Sequence, residues 1–450
     1  MQNNLHTYTN INEKSSNFVC MNRSKADKIL TRTCSICNHP ISRLDCKHQY
    51  IYMRGLGSLL YAISKSNDVL QLYYKIWCKS INEKYDDVSA FWKLDIKAIK
   101  EALSIQRIGW RFFQMRYSLL FDAFYLTLSS EPNANKETRC HEIYEIVLTL
   151  ITRFSGNALY AVLSFFTKTT IKDGKIDKNL VKHYRSNESF LNSPCKRIIV
   201  VSTVSAGKST LINALVGYKI NKVQTTACTS DLIELYNKSG KDGVTGLNKN
   251  GEYQYIENIK DVSNNDFIKV ALPFRSSLSD MNICFIDTPG INNAIDKNHR
   301  IITEEAIVKG KYDGIICISD ARYFRTNDGW QILEYLRKNA KCPIIFVLNQ
   351  LDRFKQEEES IFQIIEDYKA DLKQIGFSKP TIVPISARAS FLSKFEDAEL
   401  DEEDLFEKNR FRKIFAKEYY NLPSYVNQPA KNCFEELAGI TYLENMIKTI

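Results

Sequence analysis

The spacing of apolar residues divides the chain into two parts. From about residue 57 to residue 190, apolar side chains recur three and four positions apart, as at Leu59, Leu60 and Ile63. This spacing places them on one face of a helix. It predicts a bundle of about four or five helices over residues 57–193, whose aromatic side chains form the core rather than a stacking surface for nucleic acid.

A different pattern begins after Pro194. Short runs of β-branched and other apolar residues, such as 198–201, 283–286 and 344–348, alternate with segments of helical spacing. This alternation predicts a mostly parallel sheet with helices on both faces. Residues 194–450 are therefore expected to form one α/β domain. A helical insertion is expected near residues 391–435, where both charge signs are dense.

The longest apolar stretch is expected to be a core helix rather than a membrane span. It runs over residues 146–166, but Arg153 and Asn157 interrupt it, and a charge in the middle of a span is costly. The N-terminus is polar, without an apolar signal region, and 12 cysteines in 450 residues do not make a dense disulfide framework. A cytoplasmic location with reduced thiols is expected, with the membrane periphery as an alternative.

Charge is distributed unevenly between the two parts. Residues 1–193 carry 27 Lys and Arg against 17 Asp and Glu, whereas residues 194–450 carry 34 against 35. A basic first half suggests an acidic partner, either an anionic membrane or a nucleic acid. A solvated basic surface without a partner is the alternative interpretation.

A metal site is predicted in the polar N-terminal segment, residues 1–56. Cys34 and Cys37 have the spacing of a zinc knuckle, in which two thiolates on one tight turn reach the same ion. Cys46 and His48 would complete a tetrahedral set from a second turn, and the four positions fall within 15 residues. The prediction is a structural Zn²⁺. The alternative is a group of free thiols without metal.

The chemistry of the second half begins in a loop between a strand and a helix, residues 202–210. Gly207, Lys208 and Ser209 stand where the apolar strand gives way to a helix-forming run. Backbone N–H groups and the helix N-terminus favour a polyphosphate, Lys208 adds a full positive charge, and the Ser209 hydroxyl can ligate Mg²⁺. The usual pattern has a glycine five positions before Gly207, where this chain has Ser202.

Four further polar stations follow, each beside a predicted strand. Thr229 lies just before a strand and could reach Mg²⁺ and the γ-phosphate. Asp287 ends an apolar strand, where it would hold Mg²⁺ through water, and the N–H of Gly290 would touch the γ-phosphate. Asp352 can accept two N–H groups from guanine that adenine does not offer, so it selects GTP over ATP. The Ala387 N–H can donate to guanine O6.

Together the five stations resemble the motifs of translation-factor-related GTPases, and among them those of the bacterial dynamin-like family. The likeness rests on residues 204–217, on Thr229 at 21 positions after Lys208, and on residues 287–300. It extends over about residues 194–450. It implies a P-loop GTPase domain that hydrolyses GTP with Mg²⁺. It also implies that a second GTPase domain, from another copy of this chain or from a partner dynamin-like chain, completes the site.

The resemblance assigns roles to individual residues. Ser205, Lys208 and Thr229 are expected to be catalytic. The same resemblance implies that the nucleotide contacts Ser205, Ala206, Gly207, Lys208, Ser209, Thr210, Gly290, Asn349, Gln350, Asp352, Ser386, Ala387 and Arg388.

Several residues differ from the family pattern, and the assignment of the switch threonine has alternatives. Ser202 replaces a glycine and Gln350 replaces a lysine, and both changes are expected to weaken nucleotide binding. Ile291 stands where small signalling GTPases have the glutamine that orients water, so a slow intrinsic rate is expected. Thr225 and Thr226 are the alternative candidates for the switch threonine.

Two other functions fit the same residues. The basic first half and the predicted zinc knuckle favour an Era-like assembly GTPase that acts on ribosomal or other RNA, although no RNA-binding module is recognisable. A GTP-dependent scaffold that does not hydrolyse its nucleotide is compatible with Ser202 and Ile291. The expected partners are GTP, a second GTPase domain and an anionic membrane surface, with RNA less favoured.

Overall fold

The computed structural model describes most of the chain. The described residues are 24–34, 36, 38–81, 88–107, 113–151, 155–168, 176–202, 205–220, 232–240, 242–264, 267–289, 297–357, 360–430 and 433–450. Within these ranges, eight α-helices precede residue 193, and the second half is built on one large sheet.

The first half is a helical domain. Its helices are α1 (Lys25–Thr31), α2 (Cys46–Ser64), α3 (Asp68–Ile81), α4 (Ile96–Leu103), α5 (Met115–Ser130), α6 (Lys136–Leu150), α7 (Gly156–Thr167) and α8 (Lys178–Asn192). A short antiparallel pair, β1 (Gln106–Arg107) and β2 (Phe113–Gln114), lies between α4 and α5.

Helix α5 forms the centre of this domain. Fourteen of its 16 residues are buried, which is the burial expected of a helix that is apolar on nearly every side. Its buried Asp122 accepts hydrogen bonds from His39 Nε2 at 2.9 Å and from the Tyr52 hydroxyl at 2.8 Å. Because His39 Nδ1 accepts from the Ile41 N–H at 3.0 Å, the proton of the neutral ring lies on Nε2. His39 therefore connects helix α5 to the segment around Ile41 inside the helical core.

The second half contains a nine-stranded sheet with the order β11-β10-β9-β3-β8-β4-β7-β5-β6. Its strands are β3 (Lys196–Ser202), β4 (Ile233–Asn237), β5 (Val244–Asn248), β6 (Tyr253–Ile256), β7 (Phe267–Leu272), β8 (Ile283–Asp287), β9 (Gly314–Asp320), β10 (Ile344–Asn349) and β11 (Thr381–Pro384). The strands from β11 to β8 are all parallel to one another. Strand β4 is antiparallel to β8 but parallel to β7, and β5 is antiparallel to both of its neighbours. The predicted α/β domain with a mostly parallel sheet, preceded by a helical region, is thus confirmed.

Helices surround this sheet and complete the second core. They are α9 (Lys208–Val216), α10 (Lys297–Lys309), α11 (Asn327–Asn339), α12 (Ile361–Ile375), α13 (Ala387–Ser393), α14 (Glu402–Phe415), α15 (Phe434–Leu437) and α16 (Ile440–Thr449). Helix α14 falls within residues 391–435, where a helical insertion was expected, whereas α13 begins before that region.

Helix α1 joins the two domains. Its neighbouring residues Ile29 and Leu30 belong to different cores, Ile29 to that of the helical domain and Leu30 to that of the sheet. Lys269 Nζ, on β7, donates to the Asp27 carboxylate at 2.8 Å. The Thr245 hydroxyl, on β5, donates to the Leu30 carbonyl at 2.8 Å. The N-terminal segment is therefore a structural part of the interface between the domains.

The domain boundary expected between residues 56 and 57 falls inside helix α2. This helix begins after Asp45, whose carboxylate accepts from the His48 N–H at 2.9 Å and so caps the first turn. The described part of the predicted polar segment thus contains α1 and half of α2, and it packs with the helical domain.

Candidate functional site

The loop between β3 and α9 begins without the strain that its sequence suggested. Ser202 is the last residue of β3, is 4% exposed, and is not among the described residues with positive φ. A residue in extended conformation does not need to be glycine. The replacement of glycine by Ser202 therefore carries no backbone penalty at this position.

Gly207 is the position where the loop does require glycine. Its φ is +90°, and a Cβ added there would lie 2.5 Å from Asn349 Nδ2. The left-handed conformation turns the chain into α9, and the missing side chain lets a second loop approach closely. Ser205 is also left-handed, with φ +56°, and it is exposed.

Lys208 and Asp287 are brought together by adjacent strands. Lys208 opens α9 after β3, and Asp287 ends β8, which pairs with β3 so that Val200 lies opposite Asp287. The Lys208 ammonium donates directly to the Asp287 carboxylate, and the two side chains are 8% and 3% exposed. Ser209 and Thr210 follow in the first turn of α9 and are half-buried. The predicted phosphate-binding lysine and metal-binding aspartate thus share one buried site.

Asn349 connects the phosphate loop to another loop of the site. It is the last residue of β10 and is 3% exposed. Its Nδ2 donates to the Ala206 carbonyl at 2.8 Å, and its Oδ1 accepts from the Ala387 N–H at 2.8 Å. One side chain thus joins the first, fourth and fifth stations predicted from the sequence.

Gln350 makes a second connection to the phosphate loop. Its φ is +68°, and its Nε2 donates to the Ser205 carbonyl at 3.0 Å. Its Oε1 accepts from Arg322 Nη2 at 2.8 Å. The glutamine that replaces the usual lysine is therefore bonded to the loop rather than turned away from it.

Asp352 lies close to Ser386 at the predicted guanine end of the site. Burial raises the pKa of Asp352, and a hydrogen bond from the Ser386 side chain acts in the opposite direction. The Ser386 hydroxyl also caps α13 by accepting from the Ala389 N–H at 3.3 Å. The structure therefore places Asp352, Ser386 and Ala387 at the same end of the sheet.

Arg388 is held away from this group by carboxylates of α14. Its Nε lies 2.6 Å from Glu407 Oε2, and its Nη2 lies 2.5 Å from Asp404 Oδ1. A side chain with two such partners is already fixed in the absence of nucleotide. The expected contact of Arg388 with the nucleotide would have to come from its backbone, or α14 would have to move.

Some predicted site residues lie outside the described residues. These are Thr229, its alternatives Thr225 and Thr226, Gly290, and Ile291. Their assigned roles stay predictions.

The predicted zinc site is not formed by the described residues. Cys34 is 1% exposed, and its burial raises the pKa of the thiol. Cys46 is exposed at the start of α2, and His48 Nδ1 lies 2.8 Å from an Asp45 carboxylate oxygen. Cys37 lies outside the described residues. Among the described part of the chain, no group of three or more His, Cys, Asp or Glu side chains could hold a metal ion.

The sequence analysis did not identify Arg322 and Asp320 as residues of the site. Asp320 ends the buried strand β9, and both its oxygens accept from the Arg322 guanidinium, Oδ1 from Nε at 3.2 Å and Oδ2 from Nη2 at 2.9 Å. An apolar run that ends in aspartate, at residues 314–320, is the signal that could have identified them.

The fold and the site define a P-loop GTPase domain. A Gly-Lys-Ser loop, an aspartate and an Asn-x-x-Asp motif meet at the carboxyl ends of neighbouring parallel strands. The model of the Dynamin family matches residues 198–351. The match confirms the predicted dynamin-family resemblance for this part of the chain.

Curated relatives that match include GTPases named Era. GTPase Era of Haemophilus influenzae (strain PittGG) is 26% identical over 205 residues, which cover 45% of this chain and 52% of that protein. GTPase Era of Pasteurella multocida (strain Pm70) is 26% identical over 198 residues, with coverage of 43% and 49%. The chain spans about half the length of these relatives.

Two solved structures show lower similarity. One is described as an oligomerised bacterial dynamin pair for the long range sensing and tethering of membranes. It has 16% identity and a TM-score of 0.36, and the match covers 93% of this chain and 62% of that chain. The other is Era in complex with MgGDPNP and nucleotides 1506–1542 of 16S ribosomal RNA, with 22% identity, a TM-score of 0.28, and coverage of 43% and 51%.

Within the ranges given above, no helix has both the length and the apolar character needed to cross a bilayer.

Proposed function

We propose that this chain is a dynamin-like enzyme that hydrolyses GTP to GDP and reaches its full rate when two GTPase domains pair. The observation that carries the proposal is the convergence of Lys208, Asp287 and Asn349 at one edge of the sheet. This convergence lies within the residues that match the Dynamin family. The half-buried Asp352 beside Ser386 supports guanine as the base.

Binding of GTP would exchange the partners of Lys208 and Asp287. Without nucleotide the two charges neutralise each other in a buried place, where either charge alone would be costly. Lys208 would turn to the β- and γ-phosphates. Ser209, Thr229 and Asp287 offer the oxygen donors that Mg²⁺ prefers, and Mg²⁺ bound there would neutralise phosphate charge. The buried pair thus offers both charge signs to a ligand, a cation for phosphate and a carboxylate for Mg²⁺.

A second GTPase domain is expected to complete the catalytic site. Ile291 cannot orient the attacking water as a glutamine does. Ser205, which is predicted to be catalytic, is exposed at the tip of the phosphate loop. A partner domain that covers this loop would exclude water and supply the missing group.

The test is GTP turnover per molecule as a function of protein concentration, with oligomeric state followed by light scattering. The proposal expects a slow rate for the monomer and a faster rate once dimers form. A rate per molecule that stays constant across the monomer–dimer transition would contradict activation by pairing. Absence of GTP binding would contradict the enzyme itself.

A second candidate is an assembly GTPase that acts on RNA. It is favoured by the similarity to GTPases named Era and by the basic first half of the chain. Co-sedimentation with anionic vesicles and retention of RNA on filters, both over a salt series, separate the two candidates. RNA retention with a steep salt dependence, without vesicle binding, would favour the RNA candidate.

A further inference from the structure

We propose that Arg322 is a positioning residue for the phosphate loop, which it controls through Gln350. Together the two side chains replace the lysine of the usual guanine motif. This inference rests on the proposed GTP-binding function, and it concerns a residue outside all the sequence motifs.

The bond between Gln350 and Ser205 joins two residues with unusual backbones. Gln350 has φ +68° and Ser205 has φ +56°. Left-handed conformations are uncommon for residues other than glycine, and they persist only where the surroundings hold them. The hydrogen bond of 3.0 Å from Gln350 Nε2 to the Ser205 carbonyl therefore stabilises the turn that begins the phosphate loop. It also fixes the direction of the Ser205 carbonyl.

Arg322 determines which end of the Gln350 amide faces the loop. A glutamine amide carries a donor and an acceptor of nearly the same shape, so its orientation follows from its partners. The Arg322 guanidinium can only donate, and its Nη2 lies 2.8 Å from Gln350 Oε1. The Nε2 end must then point toward the Ser205 carbonyl, which can only accept. Without Arg322, water could bond either end of the amide.

Arg322 is itself held rigidly. Its guanidinium makes the two-pronged contact with Asp320 described above, and its backbone N–H also donates to Asp320 Oδ1 at 2.9 Å. Asp320 is 2% exposed at the end of β9. The guanidinium also lies over the Tyr323 ring, 4.8 Å from its centroid. Paired contacts of this kind fix direction as well as position. A continuous series of hydrogen bonds thus links the end of β9 to Arg322, Gln350 and the Ser205 carbonyl.

Two side chains thus provide what one lysine provides in the usual guanine motif, a bond to the loop and a positive charge. Gln350 makes the neutral bond to the loop, and Arg322 supplies the positive charge next to it. The replacement of lysine by Gln350 is then compensated. It follows that a lysine at position 350 would place its ammonium next to the Arg322 guanidinium, and the two positive charges would repel each other.

Four variants test the inference: Arg322→Ala, Gln350→Lys, the double variant of both, and the control Arg325→Ala. Arg325 lies in the same turn, but its Nε donates to Asp371 of α12 at 2.8 Å. The readouts are the GTP dissociation constant by calorimetry, the dissociation rate of a fluorescent GTP analogue, and the melting temperature. We expect about tenfold weaker GTP binding in Arg322→Ala and in Gln350→Lys, which is the size of one lost hydrogen bond to a charged group. The double variant should recover most of the affinity, and the control should keep it.

The outcomes separate this inference from the proposed function. Absence of GTP binding by the unaltered protein would contradict the proposed function. If that protein binds GTP and Arg322→Ala binds it as tightly as Arg325→Ala, the positioning role is overturned. The role is also overturned if the double variant is no better than either single variant. If Arg322→Ala melts early, Arg322→Lys replaces it, because lysine keeps the charge but loses the two-pronged contact. Unchanged affinity in a stable Arg322→Lys would equally overturn the role.

Discussion

Replacing Asn349 by alanine is expected to destabilise the GTPase domain even without nucleotide. Its side chain satisfies two backbone groups, the Ala206 carbonyl and the Ala387 N–H, each at 2.8 Å. Ala206 and Ala387 are each 1% exposed. Water therefore has no ready access to replace either bond, and the two loops would lose their common anchor.

The magnitude follows from the two groups left without partners. A buried donor or acceptor that loses its partner costs about 1–3 kcal/mol. Two such groups, partly relaxed, correspond to about 2–4 kcal/mol, and a domain of this size loses roughly 2–4 °C of melting temperature per kcal/mol. The expected decrease is thus about 4–16 °C. Asn349→Asp should be at least as damaging, because a carboxylate would face the Ala206 carbonyl.

The assay is scanning calorimetry of nucleotide-free protein. Because the chain has two hydrophobic cores, two transitions can occur, and the GTPase transition is the one that GTP shifts upward. Asn339→Ala is the control, since Asn339 Nδ2 bonds to the Tyr335 carbonyl of its own helix, at 2.9 Å. If Asn349→Ala melts with the control but loses GTP affinity, the anchoring role is refuted and Asn349 acts only on the nucleotide.

Further predictions concern single charged or hydroxyl side chains. Asp352→Asn should weaken GTP binding and admit xanthosine nucleotides, measured by calorimetry. Because burial raises the pKa of Asp352, GTP affinity should fall on acidification at a higher pH than for an ordinary aspartate, and a flat titration would contradict this. Lys208→Ala should lose binding and hydrolysis together, whereas Thr229→Ala should bind GTP but hydrolyse it poorly in single-turnover assays. Wild-type hydrolysis by Thr229→Ala would place the switch elsewhere. Burial by itself would raise the pKa of Asp27, but hydrogen bonds, chiefly from Lys269, bring it below its usual value. Its contribution to stability is therefore present above the unfolded pKa of about 3.9 and lost as pH falls through the lower folded value. Asp27→Asn should accordingly lower the melting temperature near pH 7 and lower it progressively less as pH falls below about 3.9, and a loss that does not change with pH would contradict the linkage.

The sequence predicted the fold class because both periodicities were strong, but it did not reveal α1. That helix has seven residues, and a helix so short is marginal by itself. Its stability comes from partners such as Lys269 and Thr245, which lie more than 200 positions away. The antiparallel pairing of β5 with its neighbours was also missed, because alternation of strands and helices indicates parallel strands only where a helix connects them.

The candidate site was predictable where its chemistry is local and was missed where it is not. Asp287 and Asn349 were found because each ends a recognisable apolar run, and Lys208 because a Gly-Lys-Ser sequence follows such a run. Arg322 was missed because its role depends on what the Gln350 side chain contacts. The described residues do not form the predicted zinc site, for a related reason. Cysteine spacing does not reveal burial, and Cys34 is fixed by a bond of 2.6 Å from its N–H to Asp242, 208 positions away.

The position of helix α1 between the two cores constrains the order in which the chain can fold during synthesis. Asp27 leaves the ribosome 242 positions before its partner Lys269. At about 5–20 residues per second, this separation corresponds to a wait of roughly 10–50 s. During that time Leu30 and the side chains around it have no sheet to cover them. The helical domain can collapse early, but its junction with the GTPase domain can close only after β7 has emerged. Translation rate and chaperone binding to this short segment should therefore affect the yield of folded protein.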